Sequence, residues 1–210
     1  MIPGYSLFWE LLSLEIRLNP MRLEFFPYPF LIGLTVLLIF VNLPRKQPRD
    51  PARKFFLVVL GVYLLFLIGV TLFPIPLTSS VGGMYPRQPV STIFERINLN
   101  PIRLSSLIAQ FPNRMSFDLV GNVLLTIPFG FVLPFVARIK GIWYTGVGFG
   151  TGLGIETSQL VLSLALGVAY RAVDINDVLM NASGVMIGYA AFRISGVLYG
   201  AVRKFLISDF

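Results

Sequence analysis

The chain has 210 residues, 55% of them hydrophobic and only 13% charged, about half the charge of a soluble domain. That balance excludes a soluble enzyme, a disordered regulator and a secreted disulfide scaffold, and it indicates an all-α polytopic membrane protein. Cysteine and histidine are both absent, so any chemistry must come from carboxylates, amides, hydroxyls and arginine. The net charge of +7 lies in clusters between hydrophobic runs, which is the pattern of membrane orientation signals and not of a nucleic-acid surface.

Residues 1–24 open with Tyr5–Leu18, a run too short to span a bilayer comfortably. Ser6, Glu10, Ser13 and Arg17 make one polar stripe among Leu, Phe, Trp and Ile, as in an amphipathic helix lying in the interface. A cleaved signal peptide is not expected, because no basic segment precedes the run and Glu10 interrupts it. A membrane-spanning helix needs about 20 mainly apolar residues, and five stretches qualify: Phe25–Leu43, Phe55–Leu77, Phe117–Ala137, Ile142–Val168 and roughly Ile175–Val202. Residues 25–77 thus hold the first two spans around a basic loop at 44–54. Residues 78–116 form a long outer loop, 117–202 a three-helix core and 203–210 a cytoplasmic tail.

The basic residues set an expected orientation. Arg45, Lys46, Arg49, Arg53 and Lys54 face only Asp50 in the first loop, which places that loop in the cytoplasm. With five spans, Arg138 and Lys140 and then Arg203 and Lys204 fall on the same side, with the N-terminus outside and the C-terminus inside. The long loop also carries Arg87, Arg96, Arg103 and Arg114, and long loops obey this rule less strictly.

An ionisable side chain within a membrane is a functional candidate by default. Asp118 and Asn122 lie four apart at the outer end of the third span and share a helix face; Asp118 could also be a helix cap. Glu156 sits near the middle of the fourth span with Gln159 one turn on and no Lys or Arg on the same helix. It must be protonated, paired with Arg171 of the next loop, or open to a wet cavity. Asp174, Asp177 and Asn181 line one face at the start of the fifth span, beside Asn176, with Asp174 or Asn176 available as a cap. Asn98 and Asn100 add polar groups from the outer loop, where Asn100-Pro101 favours a turn or extended backbone. Together these residues imply a polar pocket near the outer leaflet, suited to an amphiphile with a polar head.

Gly146, Gly148, Gly150, Gly152 and Gly154 alternate along the fourth span. No strand precedes them, so they are not a nucleotide-binding loop. Gly146, Gly150 and Gly154 are expected to let helices approach closely, as are Gly184 and Gly188. Spans four and five should pack through them and bring Glu156 near Asp177 and Asn181, and the same surfaces could support a homo-oligomer. Pro128 and Pro134 are expected to kink the third span.

Asn98–Pro101, then Asp118-Leu-Val-Gly-Asn122-Val-Leu-Leu-Thr-Ile-Pro-Phe-Gly130, Glu156-Thr-Ser-Gln159-Leu, and Arg171-Ala-Val-Asp174-Ile-Asn-Asp177-Val-Leu-Met-Asn181 resemble the VanZ-like family over roughly residues 55–192. Thr126, Ile102 and Val173 stand where aromatic residues are common, which bears on pocket shape. The family takes its name from a protein linked to low-level resistance to teicoplanin, a lipid-tailed glycopeptide. The resemblance therefore implies a bacterial cytoplasmic-membrane protein with a cell-envelope role, and it directs attention to the same polar residues.

Three functions follow as expectations. The first is a protein that binds a membrane lipid or lipoglycopeptide through Asn98, Asn100, Asn122, Gln159, Arg171, Asn176 and Asn181, contributing to glycopeptide resistance. The second is an intramembrane enzyme on a lipid-linked sugar or phosphate, with Glu156 as general acid or base and Asp118, Asp174 or Asp177 as the partner carboxylate. No cofactor is expected, although Mg²⁺ or Ca²⁺ could sit at the aspartates in that version. The third is a lipid transporter or flippase.

Overall fold

The computed structural model describes residues 22–43, 50–76, 87–101 and 114–208, with residues 114–118, 202 and 204–208 described by backbone alone. The expected interfacial helix at Tyr5–Leu18 and most of the basic loop lie outside the described residues. In chain order the elements are β1 (Arg22–Leu23), α1 (Tyr28–Asn42), α2 (Pro51–Leu72), β2 (Ile75–Pro76), α3 (Val90–Phe94), β3 (Ile97–Asn98), α4 (Arg114–Val136), α5 (Trp143–Leu166), β4 (Val173–Asp174) and α6 (Ile175–Ser208). The protein is mostly helical, as its composition implies, and four two-residue strands qualify the all-α expectation. β1 pairs antiparallel with β2, and β3 pairs parallel with β4.

Local chemistry sets the helix ends. Pro51 opens α2, where its missing N–H costs nothing. The helix therefore begins four residues before Phe55. It stops at Leu72 because Phe73 precedes Pro74 and is extended, with φ −108° and ψ 158°. Gly167 ends α5 in the left-handed region at φ 66°, a geometry that favours glycine. α4 continues as one helix through Pro128 and Pro134. Two side chains of α2 reach its carbonyls: the Tyr63 hydroxyl donates to Leu125, and Arg53 Nη2 donates to Val136 at 3.0 Å.

Three helices are long and apolar enough to cross a membrane: Pro51–Leu72, Leu119–Val136 and Ile175–Ala201. The expected first span is a shorter apolar helix of 15 residues. The expected fourth span, α5, is 24 residues long, but its five glycines, Glu156 and Gln159 keep it out of that set.

The core forms where backbones come closest. Gly184 of α6 lies against the Val123 carbonyl and Thr126 hydroxyl of α4, Gly188 lies against the Ile127 carbonyl, and Gly130 lies against the Val185 carbonyl. The matching order along both chains shows that α4 and α6 run parallel. Gly184 and Gly188 thus serve the third span, not the fourth as expected. α5 packs antiparallel on α6 through Gly148, facing Ala182, and Gly152, facing Val178. The face expected to do this, Gly146, Gly150 and Gly154, is open among the described residues, none of which comes within 4 Å of a Cβ built there. Alternating glycines supply both faces at once, and Tyr144, Gly148, Gly152, Glu156, Gln159 and Ser163 share the buried one. At the end away from the short strands, Leu60, Leu133, Val136, Tyr144 and Val185 form a core. There Tyr144 stacks on Tyr189 with centroids 3.8 Å apart.

Candidate functional site

The site is built around Asp174, the last residue of β4. Its carboxylate accepts the Asn176 backbone N–H at 2.8 Å and so caps α6. It also accepts Asn176 Nδ2 at 2.7 Å and Asn98 Nδ2 at 3.1 Å to each oxygen. Asn176 is buried and further donates to the Asn100 carbonyl at 3.2 Å, while the Asn100 N–H donates to Asn98 Oδ1 at 3.0 Å. This network holds the Asn98–Asn100 segment against the start of α6, with Val173 N–H bonded to the Arg96 carbonyl at 3.2 Å. The Asp174 backbone N–H then points the other way and donates to Glu156 Oε2 at 2.9 Å. Glu156 is only 3% exposed.

A second set of bonds closes the end of α2, whose last carbonyls have no partner within their own helix. Gln159 Nε2 donates to Thr71 at 3.0 Å, the Tyr170 hydroxyl to Leu72 at 3.4 Å, and Arg171 Nη2 to Phe73 at 3.1 Å. The cation at Arg171 also suits the negative end of the helix dipole. Burial raises the Tyr170 pKa above its ordinary value, against an opposing pull from the Arg171 charge, so the hydroxyl keeps its proton.

Between these two clamps lies a cavity of about 550 Å³, within the size range of small-molecule pockets, about 300–1,000 Å³. Asn122, Glu156, Gln159, Arg171 and Asp177 supply its charged and amide groups, and Thr71 adds a hydroxyl. Val70, Gly121, Leu125, Ile155 and Ala172 complete the wall. Among the described residues, the carboxyl groups of Glu156 and Asp177 and the guanidinium of Arg171 thus face a common space among apolar surfaces.

The residues singled out from the sequence divide by role. Asn122, Glu156, Gln159, Arg171 and Asp177 line the cavity. Asn98, Asn100, Asp174 and Asn176 form the network that positions Glu156 and α6. Asn181 is buried beside α4, where its carbonyl accepts the Thr126 hydroxyl at 2.8 Å and its Oδ1 has no hydrogen-bond partner among the described residues. Thr126 is itself fully buried there, so this approach favours a small hydroxyl over an aromatic ring. The Asp118 side chain lies outside the described residues; its backbone falls past the first turn of α4, which is not a cap position. Among the described residues no group of three or more acidic ligands could hold a metal ion, and four hydrogen bonds already engage Asp174. Thr71, Tyr170 and the Leu72 and Phe73 carbonyls were not singled out. Their signal is faint, because a helix end capped by distant side chains leaves no mark on its own sequence.

No curated protein and no solved structure matches the chain. The VanZ/LLP1 family model matches residues 60–197, about two-thirds of the chain, and that segment contains every described residue lining the cavity. By that match, and by the helices that carry its polar residues, the chain belongs to the VanZ/LLP1 family of membrane proteins.

Proposed function

We propose that this protein binds the head of a lipid or lipoglycopeptide in the cavity between α2, α4, α5 and α6, and that it thereby contributes to tolerance of teicoplanin-type glycopeptides. The observation that carries this reading is the 550 Å³ cavity, which gathers Asn122, Glu156, Gln159, Arg171 and Asp177 between α5 and three helices long and apolar enough to cross a bilayer. In this reading α1 and α5 also cross, making five spans in a bacterial cytoplasmic membrane. The cavity end faces outward. The test is expression in a glycopeptide-sensitive bacterium, comparing growth inhibition by teicoplanin and by a glycopeptide without a lipid tail. Wild type should raise tolerance to teicoplanin alone, and Arg171→Lys should lose the gain because one ammonium cannot replace a planar fork. Unchanged tolerance with the protein present in the membrane overturns the resistance role.

One observation favours a second reading. Glu156 and Asp177 line the same cavity, so a carboxylate pair is in place for acid–base work on a lipid-linked sugar or phosphate. Mass spectrometry of lipid extracts from cells expressing wild type and Glu156→Gln decides this. A lipid species changed by wild type alone supports catalysis, and identical profiles with both proteins present remove it.

A further inference from the structure

The end of the molecule away from the short strands carries a separate cluster. The turn that joins α4 to α5 holds Arg138 and Lys140, and Tyr189 of α6 stands against it: a Cβ built at Gly141 would lie 3.0 Å from the Tyr189 hydroxyl. The same hydroxyl accepts Arg193 Nη1 at 3.4 Å, so Arg193 is held beside Lys140 and Gly141. Arg53 of α2 approaches from the other side, donating to the carbonyl of Val136, two residues before Arg138. All four cationic side chains are exposed.

Their charge is not balanced locally. Among the described residues, Glu24, Glu95, Glu156, Asp174 and Asp177 belong to the strands or to the elements beside them, and Asp50 is the only acidic residue at this end. Asp50 lies one turn before Arg53, and the first turn of α5 holds no acidic residue. Arg138, Lys140 and Arg193 are therefore left in excess. They also sit among apolar side chains that nothing covers: Ile142 and Trp143, next to Lys140, are 80% and 65% exposed, and Ile194, next to Arg193, is exposed as well. A free anion would meet the cations and leave these side chains in water. A phospholipid meets both, with its phosphate on the cations and its chains against the apolar surface, and a tryptophan at this level suits the boundary of a bilayer. We propose that Arg138, Lys140 and Arg193 bind the phosphate of an anionic phospholipid, at a lipid site separate from the cavity.

The sequence supplies a reporter. Its two tryptophans are Trp9 and Trp143, so Trp9→Phe leaves Trp143 as the single indole. The full chain carrying Trp9→Phe is reconstituted in phosphatidylcholine nanodiscs. Phosphatidylglycerol or phosphatidylcholine with brominated acyl chains is then titrated in, and Trp143 fluorescence is read. The brominated phosphatidylglycerol should reach half-maximal quenching at about a tenth of the mole fraction that brominated phosphatidylcholine needs, since each cation near an anionic lipid is worth about fivefold. Lys140→Gln with Arg193→Gln should bring the two lipids to parity. Arg87→Gln with Arg96→Gln removes the same charge at the strand end and should leave the preference in place. Equal quenching by both lipids with the cluster intact, or a preference that survives Lys140→Gln with Arg193→Gln, overturns the proposal. Loss of the preference on adding inorganic phosphate at constant ionic strength assigns the cluster to a free anion and overturns the lipid site. None of these outcomes bears on the cavity, whose lining includes none of the cluster residues.

Discussion

Asp174 joins three parts of the molecule: it caps α6, holds Asn98, and presents its N–H to Glu156. Asp174→Ala removes the cap, worth about 1 kcal/mol, and leaves the buried Asn176 amide short of a partner, a further cost of about 1–3 kcal/mol. Thermal unfolding in detergent should show this combined loss, while Glu156→Gln should unfold close to wild type because its amide oxygen can still accept the Asp174 N–H. Tyr170 gives a pH signature. Its pKa is raised by burial and opposed by Arg171, so the folded state favours the neutral phenol. That contribution is present below the ordinary phenol range and is lost as pH rises through the folded value. Wild type should therefore lose stability at alkaline pH by more than Tyr170→Phe, because only the wild type must expose or ionise a buried phenol. At this scale the cavity residues were legible in the sequence, since charges and amides within apolar runs need a reason. Which of them line the space and which brace it was not, because that depends on bonds spanning 76 positions between Asn98 and Asp174.

At the scale of elements, glycine decides how closely helices sit. Gly188→Leu would drive a side chain into the Ile127 carbonyl and the Phe131 backbone, at a cost of about 3 kcal/mol or more. Gly150→Ala, on the open face of α5, should instead stabilise by about 0.5–1 kcal/mol through backbone entropy. Comparing the two unfolding temperatures checks the assignment of faces. The glycine spacing announced close packing, yet it could not say which face was used. A run with glycine at every second position places glycines on both sides of a 3.6-residue helix, and the choice falls to the surface that α6 presents.

For the whole molecule, the short strands and side-chain clamps collect at one end. β1 meets β2, β3 meets β4, Gln88 N–H bonds the Gly167 carbonyl at 2.8 Å, and Arg171 reaches Phe73. At the other end Arg53 of α2 reaches the close of α4. This arrangement brings residues 22–23, 75–76, 87–101 and 167–174 to a common end of the helices, the end that the proposed five-span topology would place outside. Because the chain has no cysteine, single introduced cysteines report sidedness without background. Leu99→Cys, at a side chain 71% exposed, should react with a membrane-impermeant maleimide in intact cells. Ala52→Cys should react only after the membrane is opened, and the reverse pattern would invert the orientation.

Composition and hydropathy alone determined that the chain is a helical membrane protein, roughly where its helices lie, and which polar residues needed explaining. Those properties are local, because a bilayer tests each stretch of about 20 residues separately. The resemblance in four separated blocks also lay in the sequence, and the match over residues 60–197 agrees with it. Only the tertiary structure decided that α4 and α6 run parallel in close contact, that Asp174 braces while Asp177 lines the cavity, and that Gln159 and Arg171 close the end of α2. These outcomes depend on the register between helices. That register is set where backbone meets backbone across Gly130, Gly184 and Gly188, between helices that the whole of α5 separates in the chain.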